Sequence, residues 1–216
     1  FGCLGGWNTA FWRLDTKSEE LELMTTIEPR IPMLSEEEAR AIGKEVGVPS
    51  TMAGLNVFRT MSHHPALASV MAKQLAMMLY RGNKLDERLR ELIIMRIGWR
   101  TGAMYEWTQH WPVSLRIGLS EEETLAVRDP ANATCLGAAE LAVLAATDDV
   151  LDNGGVGEAA WKACGEHLPT NEERLELVAA ICNWNTFSIM LKSLHISLED
   201  GVVAWPPDGV PAPNAD

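Results

Sequence analysis

Apolar residues recur along most of this 216-residue chain at the spacing of an α-helix. Almost no stretch alternates with the period of two that a half-buried strand requires. In the segment 85–123, for example, Leu89, Leu92, Ile93 and Ile97 fall at helical spacing. Hydrophobic residues make up 47% of the chain, which is enough to bury a packed core. The pattern therefore predicts an all-α fold of six to eight helices.

Capping residues and glycines indicate where these helices begin and end. Ser35 followed by three glutamates fits a capping box, and Asp86 fits an N-cap. Proline near a helix start and glycine at its end are further boundary signals. The first four predicted helices are a short one after Ser35, one from Pro65 to Gly82, one from Asp86 to a break at Thr101-Gly102, and one that ends near Gly118. A short helix after Ser120 and three helices over 136–150, 156–167 and 172–195 follow.

Composition divides the chain into three segments. Residues 1–23 are rich in Gly and Trp and then acidic, and Met24 follows as an ordinary protein start would. We therefore interpret 1–23 as an N-terminal extension that need not be native. Residues 24–200 are expected to form the helical domain. The segment 201–216 contains four closely spaced prolines near its end and is expected to be irregular.

Charge and cysteine content exclude several classes of protein. The net charge is −12 and the pI about 4.9, so the chain repels phosphate backbones and we expect no nucleic-acid partner. No apolar run reaches the roughly 20 residues of a membrane span, so no membrane partner is expected. The four cysteines are scattered, without a CxxC pair, which favours free thiols in the cytoplasm.

Two short motifs suggest cofactors but lack the context that those cofactors need. Residues 155–160 fit GxGxxA, yet no strand precedes them, so a dinucleotide site is not expected. His63 and His64 are adjacent, but no third or fourth ligand stands at a metal-binding spacing. We therefore predict neither a cofactor nor a metal.

The stretch YEWTQH, residues 105–110, places a carboxylate and an imidazole four residues apart between aromatic side chains. On a helix Glu106 and His110 would share one face. Two interpretations follow from the spacing: an ion pair that orders the structure, or an acid–base site in which Tyr105 and Trp107 lower the local dielectric.

The block LDERLRELIIMRIGWRTGAMYEWTQHWPVSLRIGLSEEE, residues 85–123, resembles the carboxymuconolactone decarboxylase superfamily, which includes AhpD-like proteins. The segments IPMLSEEEA, NVFRTMSHHPAL and LVAAICNWNTFSIMLKSL are similar to the family's flanking segments, so the resemblance extends from Ile31 to near Leu198. It implies an all-α, AhpD-like bundle built around a helical hairpin. It also implies self-association as a dimer, trimer or hexamer.

The two branches of this family differ at the site. The AhpD-like branch carries Glu-x11-Cys-x2-Cys-x3-His, which would fall on Glu91, Ala103, Glu106 and His110, so both cysteines are missing. A thiol peroxidase needs a thiolate and a resolving thiol, which Ala103 and Glu106 do not supply. The decarboxylase branch instead keeps a glutamate four residues before the histidine, as Glu106 and His110 do here.

The resemblance to the decarboxylase branch implies a role for each candidate residue. His110 would be the general acid or base and Glu106 its partner, while Glu91 and Tyr105 would assist. The expected substrate-binding residues are Trp107, which would shape the pocket, and Arg100 or Arg96, either of which could clamp a carboxylate or pair with Glu91 or Glu87.

These observations lead to three hypotheses. The first is a cofactor-free enzyme that acts on a small carboxylated or lactone metabolite by decarboxylation or isomerisation. The second is an AhpD-like, peroxidase-related antioxidant protein. The third is a non-catalytic oligomeric binding protein on the same fold.

Overall fold

The computed structural model describes residues 28–204 and 208–213, and all regular structure within these ranges is helical. The extension predicted for residues 1–23 lies outside them. A single 3₁₀ turn occupies Pro130–Asn132. The ten α-helices are α1 (Glu36–Val46), α2 (Ser50–Ala53), α3 (Asn56–Met61), α4 (Pro65–Tyr80), α5 (Glu87–Thr101), α6 (Met104–Arg116), α7 (Glu121–Ala126), α8 (Ala138–Asn153), α9 (Glu158–His167) and α10 (Asn171–Leu194).

The all-α prediction is confirmed, but the predicted number of helices was too low. The two unpredicted helices, α2 and α3, have four and six residues. Neither has a side-chain cap, and neither is long enough to show a helical period. The capped helices begin where predicted: the Ser35 side chain accepts the Glu38 N–H of α1, and the Asp86 side chain accepts backbone N–H groups at the start of α5.

Helix α5 is surrounded by other helices on all sides. Every residue from Leu89 to Trp99 is buried, and the helix packs chiefly against α6, α8 and α10. A helix of this kind has no polar face. Three charged residues of α5, Arg90, Glu91 and Arg96, are nevertheless buried. Charged residues are rarely buried without a partner or a function, so these three are candidates for the site.

Helices α5 and α6 form the hairpin that the resemblance implied. Gly102, in the left-handed conformation at φ 69°, ends α5, and α6 begins two residues later. A Cβ atom on Gly98 of α5 would lie 3.2 Å from the backbone nitrogen of Trp107 in α6. The absence of a side chain at Gly98 thus lets the two helices approach closely.

Three clusters of buried apolar residues make up the core. The first joins α5 to α8, α9 and α10 and includes Trp184. The second joins α2, α3 and α4 to Tyr105 and Phe187. The third joins α5 and α6 to α7 and α8 around Trp99 and Trp107. Helix α5 contributes to the first and third clusters and so links the two halves of the bundle.

The chain turns back after α10 and covers one end of α3. The Asn56 side-chain amide donates to the backbone oxygens of Ser197 and Leu198, at 3.1 and 3.0 Å, and the Asn56 N–H donates to Glu199. Farther on, Asp208 pairs with Arg128 at 2.7 Å. No helix in the described ranges combines the length and the apolar composition needed to cross a bilayer. Self-association stays a prediction.

Candidate active site

A cavity of about 600 Å³ lies among α2 to α6 and α10. Most of its wall is apolar, and a few polar side chains converge on it, as in many small-molecule sites. The apolar lining consists of Met52, Leu55, Val57, Phe58, Leu75, Leu79, Tyr80, Val113, Ile117, Trp184 and Phe187. The polar lining consists of Thr51, Glu87, Arg90, Tyr105, Glu106, Gln109, His110 and Arg116.

His110 lies between two carboxyl groups. Its Nδ1 is 2.6 Å from Oε1 of Glu91, which reaches it from α5. Its Nε2 is 3.5 Å from Oε2 of Glu106, one turn earlier on α6. Glu91 is fully buried behind the imidazole, whereas Glu106 and His110 both line the cavity. The α5–α6 hairpin therefore brings together the three residues that the sequence proposed as an acid–base group.

The pKa of His110 is raised above its ordinary value. Burial alone would lower it, because the imidazolium loses its hydration. The charge of Glu91, the hydrogen bond that His110 donates to Glu91 and the charge of Glu106 together outweigh that penalty. The positive charge of Arg90 acts in the opposite direction and lowers the pKa of His110. The protonated ring is thus stabilised inside an apolar pocket.

Burial raises the pKa of Glu106 to about 7. The charge of His110 lowers this pKa and the charge of Glu91 raises it, but desolvation is the largest contribution. A carboxyl group with this pKa is present in both protonation states near neutrality. His110 and Glu106 can therefore exchange protons with a ligand in the same cavity.

Arg90 is the buried cation of this site. It is 4% exposed and lines the cavity. Among the described residues, neither its Nε nor its Nη1 has a hydrogen-bond partner. No sequence pattern distinguishes Arg90. It lies in the charged segment DERLREL at the start of a helix, where arginines are usually exposed to solvent. Only the burial of the whole of α5 distinguishes it.

Tyr105 lines the cavity, but its hydroxyl is already engaged. It donates to Oε1 of Glu199 at 2.5 Å, and the Gln109 side-chain amide donates to Oε2 of the same carboxylate. Burial and then the hydrogen bond to Glu199 raise the pKa of Tyr105 far above its ordinary value. Tyr105 therefore holds the segment after α10 against α6, and its assisting role in catalysis stays a prediction. No sequence signal identified Glu199.

The structure places the other predicted substrate-binding residues outside the cavity lining. Arg96 forms a two-point ion pair with Asp148, with both N–O distances 2.8 Å, and Arg100 contacts Asp148 and Asp152. Trp107 is buried in the third cluster, with its ring centroid 5.5 Å from that of Trp99. These side chains are occupied in packing and ion pairs, and Trp184 and Phe187 supply the aromatic wall instead.

The described cysteines lie apart from the cavity. Cys135 is half-buried, Cys164 is buried and Cys182 is exposed, and none of the three lines the cavity. Burial raises the pKa of Cys135 and of Cys164, which disfavours their thiolates. In the ranges that the structure describes, no group of His, Cys, Asp and Glu side chains is arranged to hold a metal ion.

Solved structures with the same arrangement of helices share little sequence with this chain. The AhpD core of an uncharacterized peroxidase-related protein from Ralstonia eutropha JMP134 superposes with a TM-score of 0.67 at 19% identity, over 80% of this chain and 93% of that one. For a peroxidase-related protein from Silicibacter sp. TM1040 the TM-score is 0.65 at 11% identity, over 83% and 97%.

A third structure of this kind is the debrominase Bmp8 in complex with 2,3,4-tribromopyrrole. It superposes with a TM-score of 0.62 at 16% identity, over 82% of this chain and 94% of that one. Identities this low show the fold alone. No curated protein matches the sequence.

The sequence match covers the α5–α6 hairpin and the helices next to it in the chain. Residues 65–149, from α4 to most of α8, match the carboxymuconolactone decarboxylase family. This range includes Glu91, Glu106 and His110. Over residues 65–149 the sequence therefore resembles the carboxymuconolactone decarboxylase family, and the helices are arranged as in AhpD-like structures.

Proposed function

We propose that this protein is a cofactor-free acid–base enzyme that decarboxylates or isomerises a small carboxylated or lactone metabolite. The observation that carries the proposal is the position of His110, with a fully buried Glu91 at one ring nitrogen and the cavity-lining Glu106 near the other. A histidine held in this way is oriented as the base of a catalytic triad is oriented.

The roles of the three residues follow from their positions. Glu91 accepts the Nδ1–H of His110, which fixes the neutral tautomer and leaves Nε2 free to take up a proton. Glu91 does not line the cavity, so it acts as a positioning residue. Glu106, with a pKa of about 7, is the second group that can hold a proton at the cavity wall.

An isomerisation then needs two proton transfers. Nε2 of His110 removes a proton from the carbon next to a carbonyl, and the electron pair moves into the conjugated system. The protonated carboxyl of Glu106 delivers a proton to the far end of that system, and the His110 imidazolium returns its proton to Glu106. In a decarboxylation, CO₂ leaves instead of the first proton and its bonding electron pair enters the conjugated system. Glu106 protonates the far end and then takes up a proton from water.

The cavity wall supports this chemistry. Phe58, Trp184 and Phe187 surround the polar groups with apolar surface, which keeps the effective dielectric low. Electrostatic interactions with a developing enolate are stronger in such a medium than in water. The peroxidase-related alternative is supported by the fold shared with peroxidase-related proteins, but none of the described cysteines places a thiol at the cavity.

Solvent deuterium exchange provides a test that does not depend on knowing the product. 4-Carboxymuconolactone and related lactone acids would be incubated with the protein in D₂O and followed by proton NMR and ultraviolet absorbance. We expect exchange or turnover that falls by about 10²–10⁴-fold in His110→Ala. Glu106→Gln should reduce it to a comparable extent, since one of the two proton carriers is lost.

His167→Ala serves as the control, and Glu91→Gln tests the positioning role of Glu91. His167→Ala changes an exposed histidine at the end of α9 and should leave turnover unchanged. Glu91→Gln should reduce turnover and lower the pKa of His110 measured by NMR, because the neighbouring negative charge is removed. Exchange that persists in His110→Ala would refute the proposal. Binding of these acids without exchange would identify a non-catalytic binding protein.

A further inference from the structure

We infer that the Arg90 guanidinium is the anion-binding site of this cavity, and that it holds a carboxylate which the substrate keeps throughout the reaction. The inference rests on the proposed function. It adds the residue that recognises the substrate's charge, and it requires a second functional group on the substrate at which His110 acts.

The four arginines of α5 differ in their partners. Arg88 pairs with two glutamates, at 2.7 and 2.8 Å, and Arg96 and Arg100 both pair with Asp148. Arg90 is more deeply buried than Arg88 or Arg100, yet its Nε and Nη1 find no partner in the described part of the chain. A chain with a net charge of −12 has carboxylates available, so this exception needs an explanation.

Burying an unpaired guanidinium is unfavourable, because the charge loses its hydration without compensation. The free energy would be recovered when an anion enters the cavity that Arg90 lines and pairs with the guanidinium. The edge formed by Nε and Nη2 and the edge formed by Nη1 and Nη2 each match the two oxygens of a carboxylate, as when Arg96 binds Asp148 through Nε and Nη2. The apolar wall of the cavity would hold the carbon skeleton of the same ligand.

Arg90 also lies close to the acid–base group. Arg90 precedes Glu91 on α5, and its charge lowers the pKa of His110, so the two side chains lie within electrostatic reach. An anion on Arg90 would therefore place the rest of a small molecule beside His110. Neither Arg96 nor Arg100 could do so from outside the cavity lining.

Arg90 could bind either the carboxylate that is lost as CO₂ or a carboxylate that the substrate retains. Decarboxylation converts a carboxylate into neutral CO₂, and a guanidinium that stabilises the carboxylate raises the barrier to that step. The carboxylate on Arg90 is therefore retained. The substrate class is a small acid with a second electron-withdrawing group, such as a ketone, a lactone carbonyl or another carboxylate, next to the carbon that faces His110.

Calorimetric titration with benzoate tests the binding site without turnover, and benzamide is the neutral ligand of the same shape. We expect the wild type to bind benzoate at least about tenfold more tightly than benzamide, since a charge-assisted pair replaces a neutral one. Arg90→Gln should remove this preference, and Arg90→Lys should retain part of it. Arg88→Gln, on the same helix but outside the cavity lining, should leave it unchanged.

Two further measurements separate binding from folding. Benzoate should raise the pKa of His110 in the wild type, and Arg90→Gln should raise it without ligand, because both neutralise the same positive charge. Arg90→Gln should melt no lower than the wild type, since it removes an unpaired buried charge. Equal affinity of the wild type for benzoate and benzamide would overturn the inference even if no variant folds.

The two proposals fail independently. If benzoate binds through Arg90 but none of the lactone acids reacts or exchanges deuterium, the anion site stands and the catalytic proposal falls. If turnover depends on His110 but benzoate affinity is the same in the wild type and Arg90→Gln, the catalytic proposal stands and the anion site is wrong.

Discussion

Glu106 is a carboxyl group whose burial shifts its pKa toward neutrality, and this shift has a consequence for stability. The folded protein keeps the proton up to about pH 7, whereas the unfolded chain releases it near 4.5. The folded state therefore binds more protons between these values, and its stability falls as the pH rises through that window. About one pH unit above 7 the decrease is complete.

Glu106→Gln removes the ionisable group and keeps its shape. We expect the variant to be more stable than the wild type by about 1–3 kcal/mol at pH 8, with a smaller difference at pH 5.5. Denaturant unfolding at the two pH values would measure this. Glu122→Gln, at an exposed position of α7, is the matched control. A Glu106→Gln variant that is less stable at pH 8 would mean that the ionised carboxylate is favourably paired in the fold.

The residues of the site differ in how far the sequence could reveal them. Glu106 and His110 are four residues apart, so helical periodicity alone puts them on one face. Glu91 is nineteen positions from His110, and only the family resemblance connected the two. Arg90 and Glu199 carried no signal, because their roles depend on the burial of α5 and on where the chain runs after α10.

At the scale of elements, the α5–α6 hairpin depends on the small size of Gly98. A Cβ atom there would lie 3.2 Å from the Trp107 backbone nitrogen, and backbone cannot move aside as a flexible side chain can. We expect Gly98→Ala to destabilise the fold by about 1–3 kcal/mol in denaturant unfolding. It should also reduce turnover below the melting temperature, since the spacing between Glu91 and His110 would change.

Gly165→Ala is the matched control for this substitution. Gly165 is also helical, but a Cβ atom there would meet only the Arg174 guanidinium, at an ordinary contact distance of 3.5 Å. The gain in helix propensity, up to about 1 kcal/mol, should therefore leave this variant as stable as the wild type or more stable. Equal effects of the two substitutions would show that close approach at Gly98 is not limiting.

The contact between Tyr105 and Glu199 joins α6 to the segment after α10. If the Tyr105 hydroxyl only holds this segment, Tyr105→Phe should lower stability by about 1–2 kcal/mol, because Oε1 of the half-buried Glu199 loses one of its two donors and keeps only the Asn56 N–H. Turnover per folded molecule should be unchanged. Tyr80→Phe, at a highly exposed position of α4, is the control for stability. A large loss of kcat in Tyr105→Phe would support the catalytic role that the sequence suggested.

The helices themselves show what local sequence can and cannot predict. Helices with a capping side chain or an apolar period, such as α1 and α5, were placed close to their observed limits. Helices α2 and α3 are too short to show a period, and tertiary packing of Met52, Val57 and Phe58 into the second cluster stabilises them. The cavity forms between elements that are distant in sequence, so its lining could not be read from any single helix.

Across the whole molecule, ion pairs connect the central α5 to the helices outside it. Arg88 binds Glu123 of α7 and Glu140 of α8, while Arg96 and Arg100 share Asp148 of α8. The pairs differ in burial: the Arg96 side chain is 8% exposed, and that of Asp152, the second partner of Arg100, is 54% exposed. Pairs this different in solvation should differ in their contribution to stability.

Asp148→Ala and Asp152→Ala form a matched pair that tests this arrangement. Asp148→Ala leaves Arg96 buried with only the backbone oxygens of Val127 and Arg128 as acceptors, and should lower the free energy of unfolding by about 2–4 kcal/mol. Asp152→Ala should lower it by less than about 1 kcal/mol. Both variants should retain wild-type KM at temperatures where they are folded, because the pairs lie outside the cavity. A raised KM in Asp148→Ala without a loss of stability would return Arg96 and Arg100 to the substrate site.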